Sequence, residues 1–190
     1  MTGQPDRRDF GLGRGKVFPA SRAHSLINPL RRLVQSPRKT VAAMGLAPDA
    51  WVLEVGSGPG FFSPSVAQAV PNGRLVLLDL QGQMLRLARG RIGHRAHFVR
   101  ADAIRLPFPS ATFDAVLIAT VLGEVSNSDD CLDEVRRVMR PGGVASFSET
   151  RRDSDFVRLD KLTNLVERHA FRFLDKRGPS WQYLARYRAT

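Results

Sequence analysis

One cysteine in 190 residues is too few for an internal disulfide. Cys131 therefore gives no reason to infer an oxidising compartment. No zinc-type spacing of Cys and His is present either. No apolar run approaches the ~20 residues that span a bilayer. Residues 1–16 lack the apolar stretch of a signal peptide. A soluble, cytoplasmic protein is the expectation. Lysine is also scarce, with 4 of the 29 basic residues. A chain of this length is expected to form one domain, with or without an arm, and to bury roughly 70% of its unfolded surface without a metal or bridge.

The formal charge is +11 and is unevenly spread. Residues 1–48 carry nine basic side chains against Asp6 and Asp9. Such asymmetry suits an anionic partner, namely nucleic acid, a lipid surface or an acidic substrate. A solvated basic arm in an arginine-rich chain is the alternative. Residues 1–16 read as a disordered basic tail, because Gly11-Leu12-Gly13-Arg14-Gly15 follows no strand. Residues 17–48 read as a helical arm or lid. Asn28-Pro29 and Ser36-Pro37 each place a capping side chain before a proline suited to the first helical turn. Leu26, Ile27, Leu30, Leu33 and Val34 would share an apolar face, and Gly45 would end the second helix.

From Ala50 strands and helices alternate. Buried strands are expected at Trp51–Val55, Leu75–Leu78, His97–Val99, Phe113–Ile118 and Val144–Phe147. Helices are expected from Ser63-Pro64, over Gln81–Arg91 and over Ser128–Met139, where Leu132, Val135, Val138 and Met139 share a face. Pro141-Gly142-Gly143 breaks the third of these. A helix from about Asp155 to His169 precedes two runs, Phe171–Leu174 and Trp181–Tyr187. The short turn at residues 177–180 makes those runs an antiparallel pair. Alternation of this kind implies crossover units and a mostly parallel sheet with helices on both faces.

The first strand ends in Gly56-Ser57-Gly58-Pro59-Gly60. In open parallel sheets ligands sit beyond the carboxyl ends of the strands, where strand order reverses. Bare backbone there lets a ligand approach closely, and a following helix start favours a negative group. Asp79 closes the second strand and suits a ribose diol. A nicotinamide dinucleotide and S-adenosylmethionine both carry that diol. The spacing here is G-x-G-x-G, and Phe61 stands where the dinucleotide fingerprint G-x-G-x-x-G has its last glycine. That substitution argues against a closely approached pyrophosphate. Asp102, ending the third strand, suits an adenine amino group, with Ala103 and Ile104 as thin apolar walls.

Together these stretches resemble the class I S-adenosylmethionine-dependent methyltransferases, and within them the ubiquinone and menaquinone biosynthesis group. The matching stretches are Val52 to Gly60, Leu77-Leu78-Asp79-Leu80, Ala101-Asp102-Ala103, Leu106-Pro107-Phe108 with Phe113-Asp114-Ala115-Val116, and Val135 to Gly143. The resemblance implies a Rossmann-like α/β fold of seven strands, mostly parallel, ending in an antiparallel hairpin over residues 49–190. It implies S-adenosyl-L-methionine as cofactor. The turn at Gly56, Ser57, Gly58 and Gly60 would meet the methionine part, Asp79 with Leu80 the ribose, and Asp102 with Ala103 the adenine. Glu54 would orient the turn and the cofactor's amine, and Ala119 would end the fourth strand beside it.

Methyl transfer from a sulfonium depends mainly on in-line positioning, which can supply ~7–11 kcal/mol of the barrier. A hydroxyl acceptor would also want a base. Relatives often carry histidine after the fourth strand, where this chain has Gly123. Glu124 is then the candidate base, with His24 in the arm a second; a surface carboxylate and an ordinary histidine are the alternatives. The D/N-P-P-Y motif of amino-directed nucleic-acid methyltransferases is absent. Cys131 lacks the preceding proline of cytosine-C5 nucleophiles and reads as a buried core thiol. No metal is expected. The acceptor is expected to be a small hydrophobic or aromatic metabolite, nucleic acid is disfavoured, and the basic arm could touch a membrane surface. Two competing readings are a cofactor-binding protein without catalysis and an RNA methyltransferase using the arm's arginines.

Overall fold

The computed structural model describes Pro19 and residues 23–27 and 35–190. The expected tail over residues 1–16 and the helix opened by Asn28-Pro29 lie outside the described residues. α1 (Ala23–Leu26) and α2 (Pro37–Met44) precede the sheet. α2 begins as the sequence implies: Ser36 Oγ accepts from Lys39 N–H, Pro37 takes the first position, and Gly45 ends the helix with φ +68°.

Seven strands form one sheet: β1 (Trp51–Val55), β2 (Arg74–Asp79), β3 (His97–Arg100), β4 (Phe113–Ala119), β5 (Met139–Thr150), β6 (Phe171–Arg177) and β7 (Gln182–Ala189). Their spatial order is β3-β2-β1-β4-β5-β7-β6. The first five run parallel, and β7 pairs antiparallel with both β5 and β6. The expected mostly parallel sheet with its closing hairpin is therefore present. Four further helices connect the strands: α3 (Ser63–Ala69), α4 (Gly82–Ile92), α5 (Ser128–Val138) and α6 (Leu159–Glu167).

Side-chain alternation along the strands divides the core in two. Val52, Leu75, Leu77 and Leu117 pack with α2, α3 and α4 on one face. Leu53, Val55, Val116 and Ile118 pack with α5 and α6 on the other. Cys131 is buried in the second core, as the sequence implies.

Two boundaries differ from expectation. β5 begins at Met139 rather than after the glycine pair, because the ladder to β4 bulges: Phe113 pairs with Met139 and Ala115 with Val144. A bulge absorbs Arg140 to Gly143 without ending the strand. α6 begins at Leu159 rather than near Asp155, because the Asp155 carboxylate and amide are used in a loop, bonded to Ser154 and Asp153. Among the described residues, no helix is long and apolar enough to cross a membrane.

Candidate functional site

β1 lies centrally, and the chain leaves it on one side toward β2 while β4 lies on the other. The register puts Val55 opposite both Leu78 and Ile118, so the carboxyl ends of β1, β2 and β4 are level. The crevice at this reversal of strand order is a cleft of about 200 Å³. Its lining includes Glu54, Gly56, Ser57, Gly58, Asp79, Leu80, Asp102, Ala103, Ala119 and Glu124. Ten expected site residues from five separate segments thus share one cavity. Gly60 does not line it. It lies behind the turn, where a Cβ would press on Ala88 of α4 at 3.2 Å.

Gly56 shows why the turn carries no side chain. Its φ is +63°, and a Cβ would come within 2.7 Å of Val121 Cγ1 across the cleft. Both the left-handed backbone and the neighbour exclude other residues. Ser57 N–H donates to Leu78 C=O at 3.0 Å, tying the turn to β2. The Ser57 hydroxyl oxygen is buried and has no protein partner.

Asp79 closes the turn from the far side. Its Oδ2 accepts from Gly58 N–H and its Oδ1 from Gln81 N–H, each at 2.8 Å. Burial raises the Asp79 pKa, and the two amide bonds oppose that rise. Spare lone pairs on both oxygens remain for a ligand. Asp102 is exposed at the cleft edge and accepts from Ile104 N–H at 3.2 Å. The loop behind it is fixed to α5. Leu106 N–H donates to Glu134, and Arg137 donates to the carbonyls of Leu106 and Phe108.

Glu54 sits on the α3 side of β1 and is 2% exposed. Its Oε2 accepts from Ser63 Oγ at 2.7 Å. Burial pushes its pKa up to about 8, with the Ser63 bond opposing and the Asp79 charge adding. Ser63 therefore serves Glu54 and does not cap its own helix, whose start has no side-chain cap.

The cleft is also lined by Leu26, Val121, Val125 and Ser126, with Glu124 and Asp153. Thr120 also lines it and holds φ +53°, a conformation costly for a threonine. Gly123 is enforced by packing: a Cβ there would lie 2.5 Å from Asp155 O and 2.8 Å from Asp155 Cβ. The loop after β5 thus occupies the room that a side chain at 123 would need. The same loop brings Asp153 and Asp155 to Glu124, with carboxylate oxygens all within 4.8 Å. Sequence reasoning missed Asp153, Asp155 and Thr120. Their only signal is that two distant loops meet, which spacing along the chain does not encode. The expectation of no metal rested on Cys and His spacing, to which a carboxylate trio of this kind is invisible. The expectation for the imidazole of His24, in α1, falls outside the described residues.

Comparison with known proteins follows the same stretches. Residues 52–143 match a family described as a methyltransferase domain. Over 121 residues the chain is 38% identical to the ubiquinone/menaquinone biosynthesis C-methyltransferase of Hahella chejuensis, covering 59% of this chain and 49% of that protein. The protein of the same name from Ectopseudomonas mendocina is 32% identical over 161 residues, covering 78% of this chain and 61% of its own length. The chain thus spans about half to three fifths of the length of these curated relatives. A solved S-adenosylmethionine-dependent methyltransferase from Aquifex aeolicus shares the fold, with a TM-score of 0.80 at 22% identity over 90% of this chain and 98% of that one.

Proposed function

The chain belongs to the class I S-adenosylmethionine-dependent methyltransferases, and from that premise we propose that it methylates a small hydrophobic or aromatic acceptor at the Glu124 end of the cleft. The residues present fit the cofactor. The glycine turn exposes backbone, Ser57 offers a buried hydroxyl oxygen with no protein partner, Asp79 ends β2, and Asp102 lies two residues past the end of the adjacent β3 rather than ending it as expected. When bound, S-adenosylmethionine supplies a methyl group on a positively charged sulfur.

The chain's own residues then have separable tasks. Asp79 would accept from the ribose hydroxyls of the bound cofactor, and Asp102 from its adenine amino group. Glu54 faces the amine end of the turn, where a cation would favour its ionised form. Val121 and Val125 hold an apolar acceptor in line and exclude water, which is the main source of rate in this reading. Glu124, with Asp153 beside it, accepts a proton from a hydroxyl on the acceptor. Loss of that proton enriches both the oxygen and the ring carbons of a phenol. The relatives' name, a C-methyltransferase of quinone biosynthesis, favours a ring carbon as the site of methylation.

The observation that carries this reading is one cleft lined by Asp79 and Asp102 together with Val121, Val125 and Glu124. The test is turnover to S-adenosylhomocysteine with a panel of phenols, quinols and apolar amines. Turnover with an aromatic acceptor, reduced at least tenfold in kcat by Glu124→Gln, supports it. Cofactor binding without turnover across the panel would leave a binding protein, and nicotinamide binding in the cleft would overturn the assignment altogether.

A further inference from the structure

The expected basic arm is not the only charged feature of this chain. Residues 55–101 contain six arginines and a single acid, Asp79. That acid is buried in the cleft, 7% exposed. Residues 102–190, by contrast, carry fourteen basic against thirteen acidic residues, so the two halves of the domain differ sharply. The acid-poor stretch is also one region in space. β3 is an edge strand of the sheet, and α4 packs on β2, β3 and α3 beside it.

Arg86, Arg89, Arg95 and Arg100 are exposed on this flank. No described carboxylate forms an ion pair with any of them. Arg100 Nε donates instead to the Leu80 carbonyl at 3.1 Å. Arg86 Nη1 and Arg100 Cδ both approach Gly82, at 3.8 and 3.6 Å from where its Cβ would stand. The Arg89 guanidinium lies 4.9 Å from the centre of the Phe98 ring. Like charges gathered on one flank without a counter-charge repel one another, and an external anion relieves that repulsion.

We propose that the α4–β3 flank docks this protein on an anionic lipid bilayer, with the mouth of the cleft at the membrane surface. Two observations favour a bilayer over nucleic acid. The flank offers no exposed aromatic ring for base stacking, because Phe98 is half-buried under Arg89 and the exposed Trp181 belongs to the opposite end of the sheet, at the start of β7. It does offer Leu80, 44% exposed, which lines the cleft at the end of β2 and whose carbonyl accepts from Arg100 Nε at 3.1 Å. Arginines around an exposed aliphatic residue match the headgroup boundary of a bilayer, where the stems bury and the charges meet phosphates. The inference concerns the surface and holds whichever acceptor the cleft takes.

The test is flotation of the full chain with phosphatidylglycerol–phosphatidylcholine vesicles and with phosphatidylcholine alone, at 50 and 300 mM salt. Binding is expected only to the anionic vesicles and to weaken strongly at the higher salt. Arg86→Glu/Arg89→Glu/Arg95→Glu, which leaves the cleft untouched, is expected to weaken vesicle binding roughly 100-fold while leaving S-adenosylhomocysteine affinity within twofold. The unchanged affinity shows that the variant is folded. A second variant with the arm's Arg7, Arg8, Arg14 and Lys16 changed to Gln separates the flank from the tail. Vesicle binding that survives the flank variant and is lost with the arm variant overturns the proposal. So does salt-sensitive binding to RNA with none to anionic vesicles.

Discussion

Removing the Asp79 carboxylate tests the site where its geometry is most specific. The two oxygens accept from Gly58 and Gln81 amides, each at 2.8 Å, so Asp79 shapes the glycine turn and, in the proposed reading, would also hold the cofactor's ribose. A hydrogen bond to a charged group contributes about 1.5–3 kcal/mol. Because the Gly58 amide reaches cleft water once the carboxylate is gone, the lower figure applies, and the turn loses about 3 kcal/mol of closure. Loss of the ribose contact adds a further ~1.5–3 kcal/mol, or roughly 10- to 150-fold in affinity. Calorimetric titration of S-adenosylhomocysteine into Asp79→Ala should therefore show binding weakened at least 100-fold. Titrating the 2′-deoxy compound apportions the effect, because it lacks a hydroxyl for the carboxylate to hold. The deoxy compound should bind the wild type more weakly and lose less on mutation, with a coupling of about 1.5 kcal/mol or more. Asp79→Asn should fall between, since its amide can accept only one of the two N–H groups without turning a donor toward the other. Affinity unchanged within threefold in Asp79→Ala would refute the site. Equal losses for the two compounds would reduce Asp79 to a brace for the turn.

Three other outcomes are expected. Gly123→His should destabilise the fold by about 2 kcal/mol or more in urea unfolding, because Asp155 occupies the space for its Cβ; a variant as stable as wild type would contradict that packing. Cys131 is 1% exposed, and burial pushes its pKa up to about 12, so a disulfide-exchange reagent should label it only after denaturation; fast labelling of native protein at pH 8 would contradict its burial. Glu54 and Glu149 are each raised by burial from an ordinary value near 4.5 to about 8. The folded state then keeps protons that the unfolded chain loses, so the stability these groups contribute is full below about 4.5 and declines as pH rises toward 8. The melting temperature without cofactor should fall between pH 5.5 and 8.5, and Glu149→Gln should flatten that fall; an identical slope in the variant would count against the assignment.

The order of elements was legible in the chain because each is local. Alternation of apolar residues marks the strands, Ser36-Pro37 marks a helix start, and the interrupted period at Pro141-Gly142-Gly143 marks a change of conformation. Even there the bulge that lets β5 run through the glycines depends on its pairing with β4, which local pattern does not contain. The cofactor end of the site was legible for the same local reason. Each of its residues lies at or just past the end of a strand, and parallel strands of one sheet bring their carboxyl ends level, so position along a strand becomes position in the cleft. The acceptor end had no such rule. Glu124 and Asp153 meet because the loop after β5 folds over Gly123, and the missing side chain that reads as a gap is the space for Asp155. The buried state of Glu54 likewise depends on Ser63 arriving from α3. Sequence alone thus determined which residues gather beyond the carboxyl ends of the parallel strands, through the period of those strands. Tertiary structure decided which loops close over the acceptor and how burial sets the protonation of the carboxyls, because loop-to-loop distance and desolvation exist only once the sheet has formed.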